Sequence, residues 1–371
     1  MNEKKIIPAL TGIRAICVYF IFFKHLNCFS QESQPHLWLI VNQFYCFLNF
    51  FFVLSGFLIY YRYSDISSFN KTTLYNYFVN RMARVYPILI ILISATFFIA
   101  YYHHYYSGIE TFKLYLLNIT LIKGFSSKYY LTGIGPSWSM SVEELFYLLS
   151  PLIFLFAKNI FSLFKIVLFF FGIGLLLTII FHYFPFEGFF GDFLFTAYST
   201  FFGRVFEFAC GIFLGMLVKQ NTPICHLQNL GKKTQFLSFA IIITSIALLY
   251  CTASINNLSH AIESWEGIAV NNILLPIGIT ILFYNLIYYE SLLQKFLSSA
   301  IMVNLGSATY SFYLLHTTFV LSYINKYVSK NVFVIFILMV IISFIFYKLV
   351  EQPLAILVRK KLYKHSLQEV Y

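Results

Sequence analysis

Val332-Phe333-Val334-Ile335-Phe336-Ile337-Leu338-Met339-Val340-Ile341-Ile342-Ser343-Phe344-Ile345-Phe346 decides the fold. No charge interrupts it, and with its flanks from Asn331 to Val350 it is as long as one bilayer crossing, about 20 apolar residues. Toward the N-terminus, runs of the same kind recur at 303–325, 268–288, 237–253, 195–218, 163–183, 143–157, 86–106, 38–61 and 8–28. With 331–350 these make ten crossings, of which 143–157 is short. The aromatic stretch 112–122 reads as a partial or re-entrant segment. The fold class is therefore all-α: a polytopic membrane protein with about ten transmembrane helices in one bundle. Residues 1–371 form a single membrane domain, with 1–7 and a basic tail at 351–371 outside the bilayer.

Composition excludes most other classes. The chain is 60% hydrophobic, 21% aromatic and 11% charged, with a mean hydropathy of +0.77, whereas a soluble domain carries about 25% charge. Ten crossings leave only connecting loops, so a second folded soluble domain has no sequence to occupy. Nuclear, disordered and secreted disulfide classes fall away. The 46 Phe and 29 Tyr suit lipid contact and interfacial belts. Cys17, Cys28, Cys46, Cys210, Cys225 and Cys251 mostly lie in apolar stretches with neither CxxC nor zinc spacing, and read as small core residues; no metal site is expected. The first apolar run carries Arg14 in its middle and has no small-x-small cleavage site after it, so it reads as an anchor and not as a signal peptide.

A net charge of +11 invites a nucleic-acid reading, but the basic residues fall in loops between apolar segments, where they orient a membrane protein. One set of loops holds sixteen: Lys4, Lys5, Arg62, Lys71, Arg81, Arg84, Lys158, Lys165, Lys219, Lys232, Lys233, Lys295, Arg359, Lys360, Lys361 and Lys364. The other holds five: Lys113, Lys123, Lys128, Lys326 and Lys330. The bias places both termini, together with 62–85 and 219–236, in the cytoplasm, and 107–142 outside.

Ionisable groups inside a span cost roughly 2.5 to 3.5 kcal/mol at its centre, so they mark function. Arg14 and His25 are eleven residues apart, which on a helix returns them to one face about 16 Å apart. A snorkelling arginine with an interfacial histidine is the plainer reading of that pair. Ser55-Gly56 interrupts a bulky run and admits either a neighbouring backbone or a ligand. Arg81 and Arg84, three apart at the end of a polar loop, suit a phosphate or anionic lipid headgroups. In Pro136-Ser137-Trp138-Ser139-Met140-Ser141-Val142-Glu143-Glu144, Ser141 and Glu144 have the spacing of a capping box. Glu143 is then left for chemistry, since a carboxylate at the membrane boundary accepts a proton or orients an imidazole. Trp138 offers a flat face on which a sugar ring can stack. Arg204 and Glu207 read as a buried ion pair, and His316 as a histidine in a structural hydrogen bond.

Taken in order, Arg14 and His25, Phe-rich Ser55-Gly56-Phe57-Leu58, Arg81-x-x-Arg84 before Tyr86-Pro87, Trp138-Ser139-Met140 leading to Glu143 and Phe146-Tyr147, Ser311 to His316, and Glu351-Gln352-Pro353 closing the last helix resemble the acyltransferase-3 family of integral membrane O-acyltransferases. The resemblance covers nearly the whole chain, and Met140 and Leu145 are mild departures from it. It is nearest the stand-alone type without an esterase-like domain.

The resemblance implies transfer of an acyl group, usually acetyl, from cytoplasmic acyl-CoA to a hydroxyl of a cell-surface glycan or lipid-linked saccharide, in a bacterial inner membrane. Acetyl-CoA is then the donor, with membrane lipids around the protein and no metal or nucleic acid involved. Arg81, Arg84 and Arg14, with Ser55 and Gly56, would hold the CoA. His25 would act as general base with Glu143 orienting it or shuttling the proton, while Trp138, Ser139 and His316 would meet the acceptor. An acyl-His intermediate is the other mechanistic route. A flippase or transporter of lipid-linked sugars is the alternative from another class, but it would not need an arginine-histidine stripe matched to a di-arginine motif.

Overall fold

The computed structural model describes residues 7–64, 71–220 and 232–363. Expectations placed on 1–6, on 65–70, on Cys225 and most of the 219–236 loop, and on the tail beyond Tyr363 lie outside the described residues. Among those described, the regular secondary structure is helical, apart from one isolated bridge between Ser126 and Phe189. Nine helical segments among the described residues are long and apolar enough to cross a membrane: α1 Pro8–Leu26, α2 Pro35–Tyr63, α3 Lys71–Tyr102, α4 Gly135–Phe156, α5 Ile160–Tyr183, α6 Phe193–Lys219, α7 Lys233–Ile255, α8 Trp265–Tyr288 and α9 Val332–Leu362. The protein is an all-α, polytopic, integral membrane protein.

Three expectations change. The region 71–85 is not a loop but the first four turns of α3, because Tyr77, Val79, Arg81, Ala83 and Val85 are buried along it. The stretch 303–325 is not one helix; it is Ala300–Ser307, Thr309–Leu315, Phe319–Tyr323 and a π turn at Ile324–Val328. Hydroxyls at the breaks bond back to the chain, Ser307 to the Val303 carbonyl at 2.8 Å and Thr318 to the Leu315 carbonyl at 2.8 Å, in competition with the helical ladder. Glu351-Gln352-Pro353 does not close the last helix. A π turn at Tyr347–Glu351 takes up the extra residue, so the missing N–H of Pro353 falls in the first turn of a helical segment that runs on to Leu362. The stretch 112–122 lies largely in a short helix, Gly108–Ile119, too short to cross.

The chain forms two compact units. The first holds α1, α2, α5, α6, α7, α8 and the Ala300–Ser307 helix. Its interior is α6, with 72% of its most apolar window buried against 22% for α5, whose Phe161, Phe164 and Phe169 stand out where lipid would be. Helices α2 and α6 cross at glycines: a Cβ on Gly56 would come within 2.2 Å of the Phe208 carbonyl oxygen, and one on Gly211 within 2.0 Å of that of Val53. Helix α1 docks in the same way, with Gly12 against the Leu297 carbonyl and Gly306 of the Ala300–Ser307 helix against the Thr11 carbonyl.

The second unit holds α3, the 107–134 connection, α4 as far as Pro151, the helices of 309–328 and α9. Asn80, near the start of α3, donates to the Tyr363 hydroxyl at 2.6 Å, so α3 and α9 run antiparallel. The basic residues Lys71, Arg81, Arg84, Arg359, Lys360 and Lys361 therefore gather at one end of this unit.

Candidate active site

The residues singled out from the sequence divide between the units: Arg14, His25, Ser55 and Gly56 belong to the first, and Arg81, Arg84, Trp138, Ser139, Glu143 and His316 to the second. In the first unit α1 is unbroken from Pro8 to Leu26, so Arg14 and His25 do share a face; both are half-buried. Ser55 is half-buried as well. Its neighbour Gly56 is accounted for by the close approach of Phe208.

In the second unit, α3, α4, the Thr309–Leu315 helix and α9 build a cluster of charged and phenolic groups. Arg81 is buried, its guanidinium 5.5 Å from the ring centre of Tyr147 and 6.0 Å from that of Tyr77. The Tyr77 hydroxyl lies 2.7 Å from Ser150 Oγ and donates to the Tyr147 carbonyl at 2.9 Å, which fixes the platform under Arg81. The Tyr147 hydroxyl donates to Glu143 Oε2 at 3.2 Å. Arg81 and Glu143 are the charged groups acting on Glu144. Arg84, half-buried one turn on, acts on Tyr147 and Tyr310. The Tyr310 hydroxyl donates to the Val85 carbonyl at 2.6 Å, and Ser311 Oγ donates to Glu351 Oε2 at 2.5 Å.

The capping box is not formed. Pro136 opens a 3-10 turn that starts the helix at Trp138, so Ser141 falls inside it and donates to the Leu121 carbonyl instead, at 2.5 Å. Glu144 thereby loses its structural explanation: its Oε1 is buried without a hydrogen-bond partner among the described residues. It is the residue that the capping pattern concealed, and two adjacent carboxylates at the start of a membrane helix were the signal.

Trp138 is half-buried in the first turn of that helix. Ser139 Oγ lies 2.7 Å from the Tyr313 hydroxyl, which donates to the Pro136 carbonyl at 2.8 Å. His316 is fully buried, with Nδ1 2.7 Å from the Tyr313 carbonyl and its ring parallel to that of Phe312, the geometry of a structural hydrogen bond.

Two features of the 107–190 region carry charge outside the spanning helices. Lys123 has no solvent exposure, and burial pushes its amine down to about 7. Glu187 receives Lys113, Lys128 at 2.9 Å and the Tyr129 hydroxyl at 2.5 Å, which hold its carboxyl down at about 2. The backbone at Glu187 is left-handed, with φ 48°, so the clamp holds a strained turn in place.

The first unit has a polar centre of its own. The Arg204–Glu207 pair is formed at 2.5 Å and fully buried. The same Nη1 reaches Asn49 Oδ1 at 3.0 Å and Asn272 Oδ1 at 2.9 Å, and Nε donates to the Tyr198 carbonyl at 2.7 Å. Asn49 in turn donates to the Asn271 carbonyl, within the π turn of α8. Three helices are thereby joined at one guanidinium.

A family profile described as "Acyltransferase domain" (Acyl_transf_3) matches residues 7–348. No curated protein and no solved structure matches the chain.

Proposed function

The chain belongs to the acyltransferase-3 family and is a membrane acyltransferase, and from that premise we propose that it moves an acetyl group from cytoplasmic acetyl-CoA to a hydroxyl of a cell-surface glycan or lipid-linked saccharide. The observation that carries the proposal is the cluster of buried Arg81 with half-buried Arg84, Glu143 and Glu144 in the second unit, where the two arginines stand at the basic end of α3. A polyanionic donor needs guanidiniums at the side from which it enters. The gathering of Lys71, Arg359, Lys360 and Lys361 at that same end supports a cytoplasmic assignment for it, in the cytoplasmic membrane of a bacterium, with both termini inside.

The chemistry asks little of the protein. A base takes the proton of the acceptor hydroxyl as its oxygen attacks the thioester carbonyl. The tetrahedral intermediate then expels CoA thiolate, and the same base returns the proton to sulfur. His25 is the imidazole on α1, the side-chain type suited to both steps. In the second unit, Arg84 is the more open of the two arginines and meets donor phosphate, while Arg81 is held among Tyr77, Tyr147 and Glu144. Trp138 and Ser139 meet the acceptor.

Purified protein in nanodiscs, given acetyl-CoA and monitored for free CoA thiol, tests the donor. Thiol release that rises with added acceptor polysaccharide is expected. No release with acetyl-CoA or longer acyl-CoAs, while lipid-linked sugar moves across proteoliposomes, would favour a flippase.

A further inference from the structure

Lys123 is unlike the other lysines of the 107–142 connection. Lys113 and Lys128 reach out to Glu187, whereas Lys123 is turned inward, without solvent exposure. Its Nζ donates to the Thr132 carbonyl at 2.5 Å and to the Ile134 carbonyl at 2.9 Å. Ile134 is the residue on which the Gly135–Ser137 turn is built: its carbonyl also receives Ser137 Oγ at 2.7 Å and the Ser137 N–H at 3.1 Å. The turn ends at Trp138.

The backbone beside Lys123 reaches the same place from another direction. A Cβ on Gly124 would lie 2.4 Å from Ser141 Oγ and 3.1 Å from the Trp138 carbonyl oxygen, so this backbone lies directly against the first turn of the helix that carries Trp138, Ser139 and Glu143. Leu121 is held in the left-handed region, with φ 59°, and its carbonyl accepts from Ser141. A leucine in that conformation persists only where its surroundings over-determine it, and such positions cluster at functional sites. A methionine or leucine at 123 would fill the same space, but the Thr132 carbonyl would lose the amine and the Ile134 carbonyl would keep only Ser137. What the amine adds is the position of a turn.

We propose that Lys123 is a positioning residue of the acyltransferase, its buried amine setting the Gly135–Ser137 turn and thereby the placing of Trp138 and Glu143 for transfer; this rests on the functional reading given above. The contact with substrate is made by the residues the turn carries. Lys123 acts through them.

The test uses the full chain in nanodiscs, with Trp38→Phe and Trp265→Phe leaving Trp138 as the single tryptophan. Lys123→Met and Lys123→Arg are compared with this parent by iodide quenching of Trp138 and by steady-state acyl transfer from acetyl-CoA. Expected for Lys123→Met is a quenching constant changed by about twofold or more and a kcat lower by about 10- to 100-fold, the cost of misplacing reacting groups by ~1 Å. The acetyl-CoA KM should stay within about twofold. Lys123→Arg, which keeps the donors, should regain a large part of the activity.

Unchanged quenching overturns the proposal. Altered quenching with an unaltered kcat overturns it too, since Lys123 would then be structural alone. If Lys123→Met does not accumulate, Lys123→Gln, which keeps a donor for one carbonyl, carries the same measurements. Failure of the functional reading is recognised separately, because the unmutated parent would then itself show no acyl transfer.

Discussion

Glu144 and Arg81 are the two residues of the second unit on which the proposed site bears most closely. Glu144 Oε1 has no hydrogen-bond partner among the described residues, and Arg81 is the positive charge acting on it. Arg81→Ala is therefore expected to lower both stability and donor affinity, because it removes a buried guanidinium that packs over Tyr77 and Tyr147 and is the positive charge near Glu144. Arg84→Ala, from a more open position, is expected to raise the acyl-CoA Kd with little change in thermal unfolding. Equal loss of donor affinity without any loss of stability in Arg81→Ala would show that Arg81 is no counter-charge to Glu144. Lys123 gives a pH-dependent expectation. Its pKa falls on folding from 10.5 to about 7, so between those values the unfolded chain binds more protons, and stability rises with pH across that window. The rise should be seen in Tm between pH 7 and about pH 9 and be absent from Lys123→Met; a wild-type Tm flat over that range would mean the amine stays charged.

At the scale of elements, the Arg204 network and the Glu187 clamp make contrasting predictions. Arg204→Met leaves Glu207 and Asn49 Oδ1 buried without their donor, while Asn272 Oδ1 keeps the Asn271 amide, and a loss of about 3–5 kcal/mol is expected in thermal or denaturant unfolding. The double variant Arg204→Met with Glu207→Leu should recover part of it. A double variant no better than the single one would show that the asparagines, and not the carboxylate, bear the cost. The clamp at Glu187 is exposed and acts locally. Its carboxyl falls from 4.5 to about 2, so its contribution is complete above pH 4.5 and is lost as pH falls toward 2. The protection of 184–190 against hydrogen exchange, relative to the intrinsic rate at each pH, should fall across that window; undiminished protection at pH 2.5 would show that the strained turn holds without its lysines.

Nine of the ten expected spans were legible in the sequence because an apolar run of bilayer length favours a helix, the exception being 303–325, and the Arg204–Glu207 pair was legible because its spacing is local. Glu144 was hidden because the partner of Ser141 is the Leu121 carbonyl, twenty residues upstream and outside any local pattern. The continuation of α9 past Pro353 was hidden because a π turn leaves no mark in composition. Lys123 looked like any loop lysine, since burial of an irregular segment has no period to read.

For the whole molecule, orientation is the first quantity to fix. A cysteine at 128 in the outer connection should react with an impermeant reagent from outside, and one at 71 should not; the reverse would invert the membrane and place the basic end of α3 away from cytoplasmic CoA. The central claim is that this chain transfers acyl groups with His25 as its base, and one measurement tests it most directly. Purified wild-type and His25→Gln proteins in nanodiscs, matched for folding and for acetyl-CoA binding, are given radiolabelled acetyl-CoA and acceptor polysaccharide, and label in the polysaccharide is counted. The account predicts label transfer by the wild type, and a loss of about two orders of magnitude or more in His25→Gln with donor affinity retained. Comparable transfer by a well-folded His25→Gln protein would contradict it.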